Sequence, residues 1–349
     1  MHRGRTDAAA PERLRHSVLE KAAPARQSRA DAASVPRRKS GAWGARLVGA
    51  GCLLALAMQA EAGPSVMQAD RIVIGVQDTA VPFAYRDRDG QPVGYSIELC
   101  LKVVEGIEQR RGRKLEKTFV SVSSGTRLAM LLTGRIDIEC GSTSNTAPRR
   151  KLGLAFSVTT FVSDVAVLVR RLPQGPRRVG DLASIGSDRP PIVVTRGSTS
   201  ERHMRELEAQ LNAKLHLHYA DNHADSFGML ADGRASAFAL DRVLLLALAA
   251  SSSDRDGYAL LDGDVAPQAA EHYALMMRAD DDALKLAVDT TLQRLMREGE
   301  MARIYARWFE QPIPAPDRSK GAAATFTLGL PISPELKRLF QAPSDEPPR

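Results

Sequence analysis

The stretch RIVIGVQ, residues 71–77, reads as a strand, and the segments after it settle the fold class. SIELCLKVVEGIEQRRG (96–112) follows as an amphipathic helix with Ile97, Leu101, Val104 and Ile107 near one face, and KTFVSV (117–122) is a second strand. SGTRLAMLLTGR (124–135) reads as a short helix ended by Gly134, and RIDIECGS (135–142) as a third strand. Strand, helix, strand, helix, strand predicts an α/β layer with a mainly parallel sheet flanked by helices.

The same rhythm returns downstream. PIVVTRG (191–197), KLHLHYA (214–220) and ASAFALD (235–241) read as strands; STSERHMRELEAQLN (198–212), DSFGMLADGR (225–234) and RVLLLALAAS (242–251) read as helices. FVSDVAVLVRR (161–171) and HYALMMRADD (272–281) are strand-like and bracket this second block. The chain is therefore expected to cross between two lobes twice, through a two-strand hinge, leaving a cleft between them. The helical sequence 284–309 is expected to pack back on the first lobe. This gives a leader over 1–62, lobe I over 68–164, lobe II over 165–275, and a return to lobe I with a C-terminal segment over 276–349.

Charge narrows the function classes. The chain has 349 residues, 44% hydrophobic and 26% charged, with 48 Lys+Arg, 41 Asp+Glu and a formal charge of +7. Eleven of the basic and five of the acidic residues fall within 1–62, so 37 basic face 36 acidic residues after Ala62. A near-neutral body argues against a nucleic-acid partner. The front segment runs from basic (Arg37, Arg38, Lys39, Arg46) through the apolar LVGAGCLLALAMQA (47–60) to small residues around Glu61. That order reads as a secretory signal cleaved after Ala62, too short to span a bilayer, preceded by a long stretch that suggests a start codon placed too early. Cys52 reads as an apolar residue of the signal. Cys100 and Cys140 remain, and an oxidising compartment leaves both a bridge and two buried thiols open.

The motifs GVQDTAVPFAY, DGQPVGYSIELC, ECGSTSNTAPRR, AFSVTTFVSD, TRGSTSE, HADSF, GRASAFALD and WFEQPIPAP occur in this order and spacing. Together, over about Arg71 to Pro343, the chain resembles the periplasmic amino-acid-binding proteins of ABC importers (solute-binding protein family 3), nearest their glutamate/aspartate branch. The resemblance implies the two-lobed periplasmic binding protein fold. It also implies a free amino acid as ligand, a permease as partner, a monomeric state, periplasmic residence and no cofactor or metal.

An amino acid offers a carboxylate and an ammonium one carbon apart, so its binder needs clustered donors and clustered acceptors. By the resemblance, Ser142, Ser144 and Arg149 in ECGSTSNTAPRR hold the α-carboxylate from lobe I, with Thr143 their neighbour, and an arginine's planar fork suits both oxygens. Ser198 and Thr199 open a helix in TRGSTSE and would reach the same anion from lobe II, although such residues also serve as helix caps. Asp241 would accept from the α-ammonium, where a lone Asp at a strand end is otherwise a turn or cap residue. Ser124, Arg127 and His223 match positions where that branch meets the ligand's second carboxylate. Gln77 stands where the branch has an arginine, which removes one charge partner and opens a preference for an amide.

Other classes have less behind them. Exported cyclohexadienyl/prephenate-type dehydratases resemble the same family, but need a free general acid or base in the cleft. Asp241 is committed to the ammonium in this reading, and Glu139 sits on the strand before the anchors. HExxH, GxSxG and GxxxxGK[ST] do not occur in the sequence. His216 and His218 share a strand face without a third ligand nearby and read as a solvent-facing pair. A sensor module fused to a membrane kinase would need a later membrane span, and no later stretch is long and apolar enough.

Overall fold

The computed structural model describes residues 65–265, 270–316 and 324–347. The expected leader and Cys52 lie outside them.

Lobe I begins with β1 (Arg71–Val76), the short meander β2 (Thr79–Ala80), β3 (Ala84–Arg86) and β4 (Pro92–Val93), then α1 (Tyr95–Arg111) and β5 (Glu116–Ser121). It continues through α2 (Arg127–Leu132), β6 (Ile138–Glu139), α3 (Ala147–Lys151) and β7 (Leu154–Phe156). The chain then crosses through β8 (Phe161–Ser163) into β9 (Val165–Arg170). Lobe II adds β10 (Ile192–Thr195), α4 (Thr199–Gln210), β11 (Leu217–Ala220), α5 (His223–Ala231), β12 (Ala237–Asp241), α6 (Arg242–Ala250) and β13 (Tyr258–Leu260). The return runs through β14 (Glu271–Tyr273) and β15 (Met276–Arg278) into α7 (Asp282–Arg297), α8 (Glu300–Phe309), β16 (Ile313–Pro314), β17 (Thr325–Phe326) and α9 (Pro334–Gln341).

The two sheets have the same plan. Lobe I orders its strands β5-β1-β6-β15-β7 and lobe II β11-β10-β12-β9-β13. In each sheet the first three are parallel, and the fourth, the strand that enters from the other lobe, is antiparallel to both neighbours. β8 and β14 pair antiparallel as the two hinge strands. The inner parallel strands β10 and β12 are buried on both faces, which explains their near-continuous apolar sequences IVVT and AFALD, while the edge strands β5 and β11 are partly exposed.

The helical run expected over 284–309 divides at Gly299, whose φ of 69° is a conformation that only glycine adopts without cost, so α7 and α8 turn back on α1. Phe161 of β8 and Tyr273 of β14 enter an aromatic cluster with Phe83, Tyr95, Tyr305 and Phe309; Phe161 lies 4.9 Å from Phe83 and 4.8 Å from Phe309 between ring centroids. Each such pair adds about 0.5–1.5 kcal/mol beyond area burial and fastens the hinge to lobe I. Cys100 and Cys140 form a disulfide, one of the two outcomes open to the sequence, and tie α1 to the residue just after β6. RIDIECGS contributes only the two strand residues Ile138 and Glu139, because the chain leaves the sheet at Cys140 to form the loop that follows. The strand expected over 214–220 begins only at Leu217, so half-buried His216 precedes it, while His218 within it is exposed.

Candidate functional site

In open parallel sheets, ligand groups gather in the crevice beyond the carboxyl ends of the strands. The expected site residues stand there. Gln77 follows β1, Ser124 follows β5, Ser142 to Ser144 follow β6, Ser198 follows β10, and Asp241 ends β12. Arg127 starts α2, Arg149 lies in α3, Thr199 starts α4 and His223 starts α5. Apart from half-buried Ser198, every one of them is buried. The two lobes meet over them: Gln77 of lobe I is 2.9 Å from His223 of lobe II, and Arg149 donates across the cleft to the Gly197 carbonyl at 3.3 Å.

At one end lies a polar chain centred on Gln77. Arg127 donates to Gln77 Oε1 at 2.9 Å, and because a guanidinium only donates, this fixes the amide. Gln77 Nε2 therefore donates to Ser124 Oγ at 2.8 Å and to His223 Nε2. The remaining ring proton of His223 sits on Nδ1, 2.9 Å from Thr195 Oγ1, which in turn meets Ser226 Oγ at 2.9 Å. Burial, with the Arg127 charge nearby, pushes His223 down to about 3. His223 is therefore a neutral imidazole at this end of the site and contributes no positive charge at neutral pH. Thr143, the neighbour of the expected anchors, donates at 2.6 Å to Glu139, a fully buried carboxyl 4.0 Å from Arg127.

At the other end, Arg149 donates to the Ser144 carbonyl at 2.7 Å. Burial and the neighbouring Arg127 push its guanidinium down to about 10, so it remains protonated at neutral pH. Ser198 holds the N-cap position of α4 without capping it: its hydroxyl donates to the Thr195 carbonyl at 2.7 Å. Asp241 likewise does not cap α6; its carboxylate accepts from Tyr273 OH and, at 3.5 Å, from Ser200 Oγ. Burial and the nearby Glu271 push Asp241 up to about 7, with Tyr273 and Arg149 opposing.

Tyr273, Glu271, Thr195, Ser200 and His203 pack among these residues and were not singled out from the sequence, which named Glu139 only as a residue of the strand before the anchors. Glu271 and Tyr273 arrive on hinge strand β14, which runs against the anchor loop: Asn145 N donates to His272 O at 2.8 Å and Ala274 N to Thr143 O at 3.1 Å. Their signal was the strand-like run after residue 271, which placed a hinge without saying which side chains it turns into the cleft.

The arrangement sets the buried guanidinium of Arg149 in lobe I opposite the buried Asp241 carboxyl in lobe II. The family described as bacterial extracellular solute-binding proteins, family 3, matches residues 72–311. A Pseudomonas aeruginosa protein named L-glutamate/L-aspartate-binding protein is 35% identical over 283 residues, spanning 80% of this chain and 88% of that protein. The Escherichia coli glutamate/aspartate import solute-binding protein is 31% identical over 276 residues, spanning 79% and 85%. Among solved structures, an ABC uptake transporter substrate binding protein from Streptococcus pneumoniae with bound histidine shares the fold, with a TM-score of 0.61 at 19% identity over 70% of this chain and 94% of that one.

Proposed function

Since this chain belongs to the bacterial extracellular solute-binding proteins, family 3, we propose that it captures a free amino acid between its lobes in the periplasm and presents the closed form to an ABC permease. The signal reading of residues 1–62 supports export, and the named relatives support glutamate or aspartate as ligand. One observation carries the reading: Arg149 and Asp241 stand buried on opposite lobes, a fixed cation and an ionisable acceptor for the two α-groups. Only the closed state makes both sets of contacts, so the ligand favours closure by its differential affinity. Ser142, Ser144 and Thr199 supply donors to the α-carboxylate, and the protein acts as a monomer without covalent chemistry.

The side-chain end supports a second reading on one observation. Gln77 and a neutral His223 leave Arg127 facing Glu139 there, so a ligand carboxylate gains less charge compensation than at a site with two cations. Glutamine or asparagine fits that balance. Calorimetric titration of protein unfolded, stripped of ligand and refolded, with glutamate, aspartate, glutamine, asparagine, arginine and prephenate, separates these readings. Tight binding of an acidic amino acid supports the first and an amide preference the second. Failure of all the amino acids, with turnover of prephenate, overturns both in favour of the dehydratase.

A further inference from the structure

An ammonium group carries three N–H donors, and Asp241 alone meets them poorly: one of its oxygens takes the Tyr273 hydroxyl and the other faces Ser200. A second buried carboxylate stands beside it. Glu271 accepts from His203 Nε2 at 2.9 Å through Oε1, while Oε2 is buried and makes no hydrogen bond of normal geometry. The hydroxyls of Ser144 from lobe I and Thr199 from lobe II flank the same carboxylate, both of them residues of the α-carboxylate clamp in the reading above. His203 is itself buried in α4, and its other nitrogen is 3.1 Å from Glu206. Glu271, on a strand that belongs to the hinge, thus has a dedicated counter-charge in His203 inside the cleft.

We propose that Glu271 is a second acceptor for the ligand's α-ammonium, working with Asp241, and that His203 is the positioning residue that keeps Glu271 ionised and oriented. The inference rests on the amino-acid reading above. Two neighbouring buried carboxylates repel one another when empty, and a cation bridging them removes that repulsion. The directions of titration agree. Burial would raise Glu271, but the His203 hydrogen bond and charge, with the two hydroxyls, hold it below the usual carboxylate range, while Asp241 rises to about 7. Burial would lower His203, but Glu271 outweighs it and lifts the imidazole above its ordinary value. The other charged or titratable groups facing Asp241, Glu271 and His203 are Arg149 from α3, Arg127 from α2, Tyr273 and His272 from β14, and Arg202 and Glu206 from α4. Arrival of an ammonium then ionises Asp241, and the proton it held leaves to solvent.

The test is titration of the full mature protein with L-glutamate, L-glutamine and 2-hydroxyglutarate, in buffers of different ionisation enthalpy at pH 6, 7 and 8. Wild type is expected to release a proton on binding the amino acid at pH 6, less at pH 7 and almost none at pH 8. Glu271→Gln should weaken the amino acid at least tenfold and 2-hydroxyglutarate less than threefold, and should shrink the proton release at pH 7. His203→Gln provides a second variant should that one fail to fold; it should weaken the amino acid more at pH 6 than at pH 8. Equal losses for amino and hydroxy acid, or unchanged proton release in a folded Glu271→Gln protein, would overturn the assignment while leaving the amino-acid reading intact. Wild type that binds neither amino acid would overturn that reading itself, and this inference with it.

Discussion

Replacing Gly197 with alanine separates the cost of closing the lobes from the cost of folding. Gly197 has a φ of 74°, and a Cβ built there would lie 2.7 Å from the Ser124 carbonyl oxygen and 2.9 Å from Gly125 Cα of the opposite lobe. Both are backbone atoms, so no side-chain rotation relieves the contact, and reaching an ordinary 3.4 Å requires the lobes to part. The left-handed conformation costs alanine about 1–2 kcal/mol in the open and the closed state alike, which lowers stability but cancels from binding. The interlobe clash is present only in the closed state. At the roughly 1–3 kcal/mol typical of overpacking, it predicts an affinity loss of about 5- to 150-fold. Gly233→Ala is the control: its φ is 73°, but its Cβ would meet only Arg170 NH1, at 3.8 Å. Thermal unfolding of the ligand-free proteins should show similar drops in Tm of a few degrees for both, and calorimetric titration should show weakened binding for Gly197→Ala alone. Equal affinity in the two variants would refute the claim that these backbone atoms meet when ligand is bound.

Arg149→Ala removes a buried cation that already holds the anchor loop to Gly197, and should weaken the amino acid by at least about 30-fold, corresponding to 2 kcal/mol or more; undiminished affinity in a folded variant would dismiss this residue from the clamp. Cys100 and Cys140 are 40 residues apart, and opening that loop by reduction or by paired alanine substitution should cost about 4 kcal/mol at most in urea unfolding. An unchanged midpoint would show that the bridge does not constrain the unfolded chain. Asp241 is held above its unfolded value, so its contribution to the stability of the ligand-free protein is fully present below about pH 4 and is lost as pH rises through about 7. Asp241→Asn should flatten that slope, and an identical pH–stability profile in the variant would contradict it.

What the sequence disclosed and what it withheld differ for physical reasons. Local periodicity located β1, α1, β10, α4, β12 and α6 within a few residues, because burial of one helix face or of both sheet faces leaves a regular apolar pattern. Gln77, Ser124, Arg127, Arg149, His223 and Asp241 do converge at the strand ends, where resemblance and topology both direct attention. The protonation state of His223 was not legible, since it follows from complete burial beside Arg127, a contact 96 residues away in sequence. Glu271 and Tyr273 were missed because hinge strands carry no periodic signature of which side faces the cleft. His203 falls in a strongly polar helix and reads as a surface residue until Glu271 is placed beside it. The bridge between Cys100 and Cys140 needed the packing of α1 against the end of β6, which no spacing rule supplies.

In the function proposed for this chain, the two lobes close on the opposite charges of one amino acid. Its most direct test takes the tightest-binding amino acid of the panel and compares it with one counterpart lacking the ammonium and another lacking the α-carboxylate. For L-glutamate these are glutarate and 4-aminobutyrate, titrated against ligand-stripped wild-type protein. Because a bridge needs both of its ends, each analogue should lose at least about 100-fold in affinity, the equivalent of about 2.7 kcal/mol. An analogue that binds as tightly as the parent amino acid would show that the lobes do not close on both charges.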